Sequence, residues 1–116
     1  MNGYEIFNRV LSRLGYNNTP DKNTENVLLL RVKEFINQIL LDLNMQIVNN
    51  LTQPINCSAA EEDALLCGVC MLFALSEGDT GKNSIYSHLY SSKRSSLLSK
   101  AGKVEDVLPT SIDGGS

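Results

Sequence analysis

The stretch SAAEEDALLCGVCMLFALS, residues 58–76, decides the fold because it combines the clearest helix start in the chain with its most apolar segment. Ser58 and Glu61 have the spacing of a capping box, in which each side chain bonds the backbone amide of the other residue. Acidic side chains fill the first turn, where the helix dipole favours negative charge. From Ala64 to Leu75 the segment is apolar nearly all round, which predicts a buried helix that ends at Gly78.

Two further helices are predicted before this segment. Apolar residues recur at helical spacing over Asn2–Leu14, and Gly15 is a suitable residue to end that helix. A wide apolar stripe then begins near Asn23 or Thr24. It predicts one long helix that runs to Asn49, roughly 40 Å at 1.5 Å per residue.

A fourth helix is predicted from about Asn83 to Lys100. Its core face is expected to carry Ile85, Leu89 and Leu97. The rows on either side of that face are expected to carry Tyr86, Tyr90 and Arg94.

The residues after Gly102 have no helical period, and Pro109 favours extended backbone there. The predicted fold is therefore all-α: a four-helix packed bundle with one long helix and an extended C-terminal tail. A single helical domain is expected over residues 1–102, and the tail over residues 103–116.

Composition bounds the class of protein. The chain has 116 residues, of which 42% are hydrophobic, and a net charge of −3, which is ordinary for one soluble domain. No apolar run reaches the roughly 18 residues that a membrane span requires. The first residues lack the pattern of a signal peptide. We therefore expect an intracellular, reducing compartment and no membrane partner.

Few residues in the chain are of types that catalyse reactions or bind metal ions. Cys67 and Cys70 form a C-x-x-C pair, for which a redox pair or half of a zinc site is the alternative to core packing. A zinc site would have only Cys57 and His88 to complete it. Because the pair lies inside the apolar helix, core packing is the preferred interpretation. We expect no catalytic, cofactor-binding or metal-binding residues and no enzymatic activity.

Charge is distributed unevenly along the chain. Residues 82–103 contain five Lys or Arg and no Asp or Glu, so this segment carries +5 and the remainder −8. It is either a solvated helix face or a contact with an acidic partner or DNA phosphates. Tyr86 and Tyr90 would suit an interface. With Lys93 and Arg94 they form the predicted partner-binding set on this helix.

The order of these motifs resembles a known family. A buried helix that ends in ALSEGD (74–79) is followed by a short loop and by the helix that carries the four predicted interface residues. An extended segment, VEDVLP (104–109), comes last. This pattern resembles the head–tail connector, or adaptor, proteins of tailed phages, over most of the chain in element order and over residues 58–109 in residue pattern.

The resemblance implies a structural virion protein of the phage neck, assembled in the host cytoplasm. It implies a homo-oligomeric ring of about twelve copies below the portal protein. Such a ring extends the channel through which DNA passes without sequence-specific binding, and it docks a stopper or tail-completion protein. By position, the tail would be the docking element. Its predicted contact residues are Val104, Val107, Leu108 and Pro109.

Two other functions remain open from the sequence. A small helical DNA-binding or packaging factor would need a recognition helix, which residues 83–100 match in part, although the chain is acidic overall. An enzyme or metal protein would have to use the three cysteines and His88.

Overall fold

The computed structural model of the chain describes residues 1–16 and 22–100. Within these two ranges it contains four α-helices and no strand, so the predicted all-α class is confirmed. In chain order the helices are α1 (Gly3–Leu14), α2 (Lys22–Asp42), α3 (Ala59–Ser76) and α4 (Thr80–Lys100). The other three helices all pack against α3. The predicted tail, residues 103–116, and the predicted domain boundary at residue 102 lie outside the described residues.

Helix α1 begins and ends where the sequence predicts. At its start the Asn2 side chain accepts from the Glu5 amide at 3.0 Å, and the Glu5 carboxylate accepts from the Asn2 amide at the same distance. At its end Gly15 adopts a left-handed conformation with φ of 73°. The core face of the helix consists of Ile6, Phe7, Val10 and Leu14.

Helix α2 is shorter than predicted. It ends at Asp42 rather than at Asn49, so its 21 residues span about 32 Å. The chain leaves the helix at Asn44, which has φ of 60°. The amide of Met45 then bonds the carbonyl of Leu40 at 2.8 Å. This is the Schellman geometry, and asparagine is one of the few residues that accept the left-handed position within it.

The residues that were predicted to continue α2 form a connection that packs back on the bundle. The side chain of Asn37 bonds both the amide and the carbonyl of Val48, each at 2.8 Å. Further along, the amide of Gly3 donates to the carbonyl of Leu51 at 2.9 Å. A Cβ atom on Gly3 would lie 3.1 Å from the Cα of Leu51 and would force the Leu51 side chain to move, so glycine favours this close approach.

Helix α3 is the centre of the fold, as the sequence predicts. The capping box is confirmed: the Ser58 amide donates to Glu61 at 2.8 Å, and the Glu61 amide donates to the Ser58 hydroxyl at 3.2 Å. The residues of this helix from Ala64 to Cys70 are all buried, whereas Leu75, at the end of the predicted buried stretch, is 61% exposed. Gly68 lets α2 approach closely, since a Cβ atom there would lie 2.8–2.9 Å from three side-chain atoms of Ile39.

Helix α4 departs from the prediction at its start and in its core face. It begins at Thr80, where Asp79 Oδ1 accepts from the Lys82 amide at 3.2 Å. The predicted core residues Ile85 and Leu89 are 59% and 41% exposed. The third predicted core residue, Leu97, does pack against the core. Tyr86 and Tyr90, which were expected on the flanking rows, pack there as well, and Tyr90 is only 6% exposed. The expectation for Ile85 and Leu89 was wrong because a tyrosine ring buries well when its hydroxyl finds an acceptor at the edge of the core.

Candidate interaction surface

Those basic residues of α4 whose side chains the structure describes face carboxylates of the same chain. Lys93 Nζ lies 2.5 Å from Asp63 Oδ2, and Arg94 Nε lies 2.7 Å from Asp42 Oδ2. Thus Lys93 links α4 to α3, and Arg94 links α4 to the end of α2. Both residues belong to the predicted partner-binding set.

The acidic start of α3 is neutralised from two sides. Arg9 of α1 pairs with Glu62 at 2.8 Å, and Arg13 of α1 lies 3.5 Å from Asp63. The Lys93 ammonium donates to Asp63, and this hydrogen bond is the main cause that lowers the pKa of the Asp63 carboxyl. The same contact raises the pKa of Lys93. Asp63 therefore joins α1, α3 and α4 through charge.

The two tyrosines of the predicted set also have partners within the chain. The Tyr86 hydroxyl donates to the carbonyl of Arg13 at 3.3 Å, and burial raises the pKa of Tyr86. The Tyr90 hydroxyl donates a short hydrogen bond to Asp42. Burial, and after it this bond, raises the pKa of Tyr90. Asp42, which the sequence did not single out, is thus the common acceptor for Tyr90 and Arg94.

The remaining predicted contact residues are on the tail. Val104, Val107, Leu108 and Pro109 all lie outside the described residues. Their part in binding a partner stays a prediction.

The outward side of α4 has an unusual composition. Of the helix residues whose side chains the structure describes, eleven are exposed, and none of them is Asp, Glu, Lys or Arg. A fifth of the whole chain is charged, so the absence of charge on this face is notable. Ile85 and Leu89 lie one turn apart on it, next to serines and His88. The exposed residues of this uncharged face are Thr80, Gly81, Ser84, Ile85, His88, Leu89, Ser91, Ser92, Ser95, Ser96 and Ser99.

Two apolar grooves lie elsewhere on the described part of the molecule. One, of about 330 Å³, is lined mainly by Tyr4, Leu29, Leu30 and Leu51 between α1 and α2. The other, of about 540 Å³, runs between α2 and α4 over α3. Its lining residues are Gln38, Ile39, Leu41, Asp42, Met71, Leu72 and Tyr90. Neither groove is signalled by the sequence, because each forms only where helices come together.

The loop between α3 and α4 carries two carboxylates that contact other parts of the bundle. Glu77 pairs with Arg31 of α2 at 3.2 Å. Asp79 accepts from the Tyr16 hydroxyl at 3.1 Å and lies 3.7 Å from Lys82 Nζ. Burial, and after it the Asp79 contact, raises the pKa of Tyr16 to about 12. These two carboxylates therefore bind neighbouring helices in the same chain.

The cysteines lie where the packing interpretation puts them. Cys67 and Cys70 are both buried in α3 and form no disulfide, and burial raises the pKa of Cys70 to about 12. Burial likewise raises the pKa of Cys67. Both thiols are therefore protonated at neutral pH and poor nucleophiles. Over residues 1–16 and 22–100, no group of three or more His, Cys, Asp or Glu side chains is arranged to hold a metal ion.

Comparison with protein-family profiles, with curated proteins and with solved structures gives no match for this chain. None of the four helices in the described part of the chain combines the length and apolar character of a membrane span.

Proposed function

We propose that this chain is a structural subunit of a phage neck, a head–tail adaptor that forms a ring below the portal and docks the next neck protein. The proposal starts from the resemblance of residues 58–109 to that family. The main structural support for the proposal is the uncharged face of α4, because this surface is suited to packing against another protein.

An exposed helix that packs against nothing normally presents charged or polar side chains to water. Cores of protein interfaces are instead depleted of charge and contain apolar anchors. The uncharged face lacks charged residues, and Ile85 and Leu89 supply its apolar anchors; its other residues are mainly serines, which are less common at interfaces than on the rest of a protein surface. Serine side chains are small, so a neighbouring subunit can approach this face closely. We therefore assign the uncharged face to the contact between ring subunits.

The basic residues of α4 favour the adaptor over the DNA-binding alternative. Lys82, Lys93 and Arg94 each lie within ion-pair distance of an aspartate in the same chain. A phosphate would have to compete with these carboxylates for each cation. We expect the affinity for duplex DNA to be weak and equal for all sequences, and a binding assay over a range of salt concentrations tests this expectation.

The decisive experiment measures the mass of the assembled particle, with and without a portal protein. We expect a particle of many copies that binds the portal. Leu89→Glu should shift the particle towards monomer because it places a charge in the subunit contact. Gln46→Glu, which adds the same charge at an exposed position of the connecting segment, is the control and should leave the mass unchanged. A chain that stays monomeric and ignores the portal would refute the proposal.

A further inference from the structure

The groove between α2 and α4 is an apolar surface for which the chain itself offers an occupant. Leu72 and Met71 of α3 form its floor, and Leu41 and Tyr90 form its walls. Leu41 is 64% exposed although it belongs to the end of a packed helix. Covering such a side chain with another apolar group is favourable by about 25 cal/mol per Å² of apolar surface.

The rim of this groove carries a basic group with spare hydrogen-bonding capacity. Arg94 bonds Asp42 through Nε at 2.7 Å, and Asp42 is its one partner among the described residues. A guanidinium has five N–H donors, so the four on its two terminal nitrogens can receive a second carboxylate. The groove therefore suits an apolar segment with an acidic residue beside it.

The chain beyond α4 has this composition and a suitable length. Glu105 and Asp106 are followed directly by Val107, Leu108 and Pro109. Arg94 lies six residues before the end of α4, or about 9 Å along the helix. If the chain reverses at Gly102, three extended residues cover about 10 Å, which brings Glu105 level with Arg94.

The same extended path along α4 brings Val107 and Leu108 to the groove. Leu108 lies three residues beyond Glu105, which adds about 10 Å in extended backbone. Tyr90 lies one turn before Arg94, about 6 Å along the helix. Leu108 can therefore reach the part of the groove that Tyr90, Leu41 and Leu72 line.

We propose that residues 103–109 bind this groove in their own chain, with Glu105 on Arg94 and with Val107 and Leu108 against Leu41 and Leu72. The contact covers the groove before any partner is present. It goes beyond the adaptor proposal because it requires neither a ring nor a portal.

A cross-linking experiment on the full chain tests the proposal. Leu41→Cys is combined with Leu108→Cys in a Cys57→Ser background, and a disulfide is formed with oxidised glutathione at low protein concentration. The matched control combines Leu30→Cys with Leu108→Cys, because Leu30 is 67% exposed but lines the groove between α1 and α2. Circular dichroism verifies that both variants fold.

We expect the 41–108 disulfide to form within the monomer, on the order of tenfold faster than the 30–108 disulfide, because docking raises the effective concentration of the two thiols. Adding Glu105→Gln should slow its formation, since Arg94 then loses the second carboxylate that the proposal gives it beside Asp42. Equal rates for the two pairs would overturn the proposal. So would a 41–108 product that appears only as a dimer, because the segment would then reach a neighbouring copy.

Discussion

At the scale of single residues, Gly68 shows how one position sets the distance between two helices. It lies in the middle of α3, where glycine is less favourable than alanine by up to about 1 kcal/mol in helix propensity. Its role is steric, since a Cβ atom would lie within 3 Å of the Ile39 side chain. Because Ile39 is itself buried, it has little room to move.

We predict that Gly68→Ala lowers the free energy of unfolding by about 1–3 kcal/mol, the usual cost of overpacking a core. The loss should be smaller in an Ile39→Ala background, where space for the new methyl group exists. Urea unfolding of the four variants measures this coupling. A gain in stability from Gly68→Ala would mean that helix propensity dominates and that the two helices are not in tight contact.

Asp63 is the residue at which pH should act on the fold. Its folded-state pKa is lowered, chiefly by the hydrogen bond from Lys93, so its contribution to stability is present above the unfolded pKa of about 3.9. That contribution is lost as the pH falls from about 4 through the folded pKa. Since the side chain is 42% exposed, solvent screening limits the contribution to about 1 kcal/mol or less.

We predict that Asp63→Asn is less stable than the parent chain at pH 7 and that the difference shrinks as the pH falls below about 4. Thermal unfolding over this pH range measures it. Glu34→Gln, which changes an exposed carboxylate of α2, is the control. A difference that stays constant as the pH falls would show that the asparagine disturbs packing rather than charge.

At the scale of elements, the end of α2 decides the path of the connection to α3. The sequence suggested a helix through Asn49 because Leu43 and Ile47 continue the apolar stripe. In the structure Leu43 is buried at the end of the helix, whereas Ile47 is 42% exposed in the connection. The left-handed Asn44 and the bond from Met45 to Leu40 stop the helix between them.

Substitutions at Asn44 distinguish a helix that ends at Asp42 from one that continues to Asn49. We predict that Asn44→Gly leaves stability unchanged or raises it slightly, because glycine adopts positive φ without steric cost. Asn44→Ala should lower stability by about 1 kcal/mol, since the left-handed region is unfavourable for residues with a Cβ atom. Chemical unfolding gives the order of the two variants. The reverse order is expected if α2 continues through this position, because alanine is the better helix former.

At the scale of the whole molecule, charge complementarity is used inside the chain. From the sequence alone, the basic segment 82–103 could contact an acidic partner, and the start of α3 is itself acidic. In the structure they meet within one chain, through Lys93 and Asp63. The uncharged face of α4 is therefore the better candidate for the proposed contact between subunits.

We predict that the double reversal Lys93→Glu and Arg94→Glu destabilises the monomer, because each new carboxylate faces an aspartate. The conservative change Lys93→Arg should have little effect. Unfolding at a concentration where the chain is monomeric is the measurement, with particle mass recorded in parallel. Loss of assembly with unchanged monomer stability would return these residues to the interface between subunits.

The sequence by itself determined the helical class, the end of α1, the start of α3 and the burial of most of α3. These features depend on local spacing: Ser58 and Glu61 are three residues apart, and Gly15 follows directly on an apolar period. Local hydrogen bonds and helix propensity can be inferred from neighbours in the chain. The cysteines in the middle of α3 were placed in the core for the same reason.

Only the tertiary structure decided the inward face of α4, the end of α2 and the two grooves. Ile85 and Tyr86 are neighbours in sequence, and periodicity cannot say which of them turns to the core when both are apolar. The choice depends on acceptors that lie far away in the chain, namely the carbonyl of Arg13 for Tyr86 and the carboxylate of Asp42 for Tyr90. A buried hydroxyl without an acceptor costs free energy, and only the folded chain brings these hydroxyls and their acceptors together.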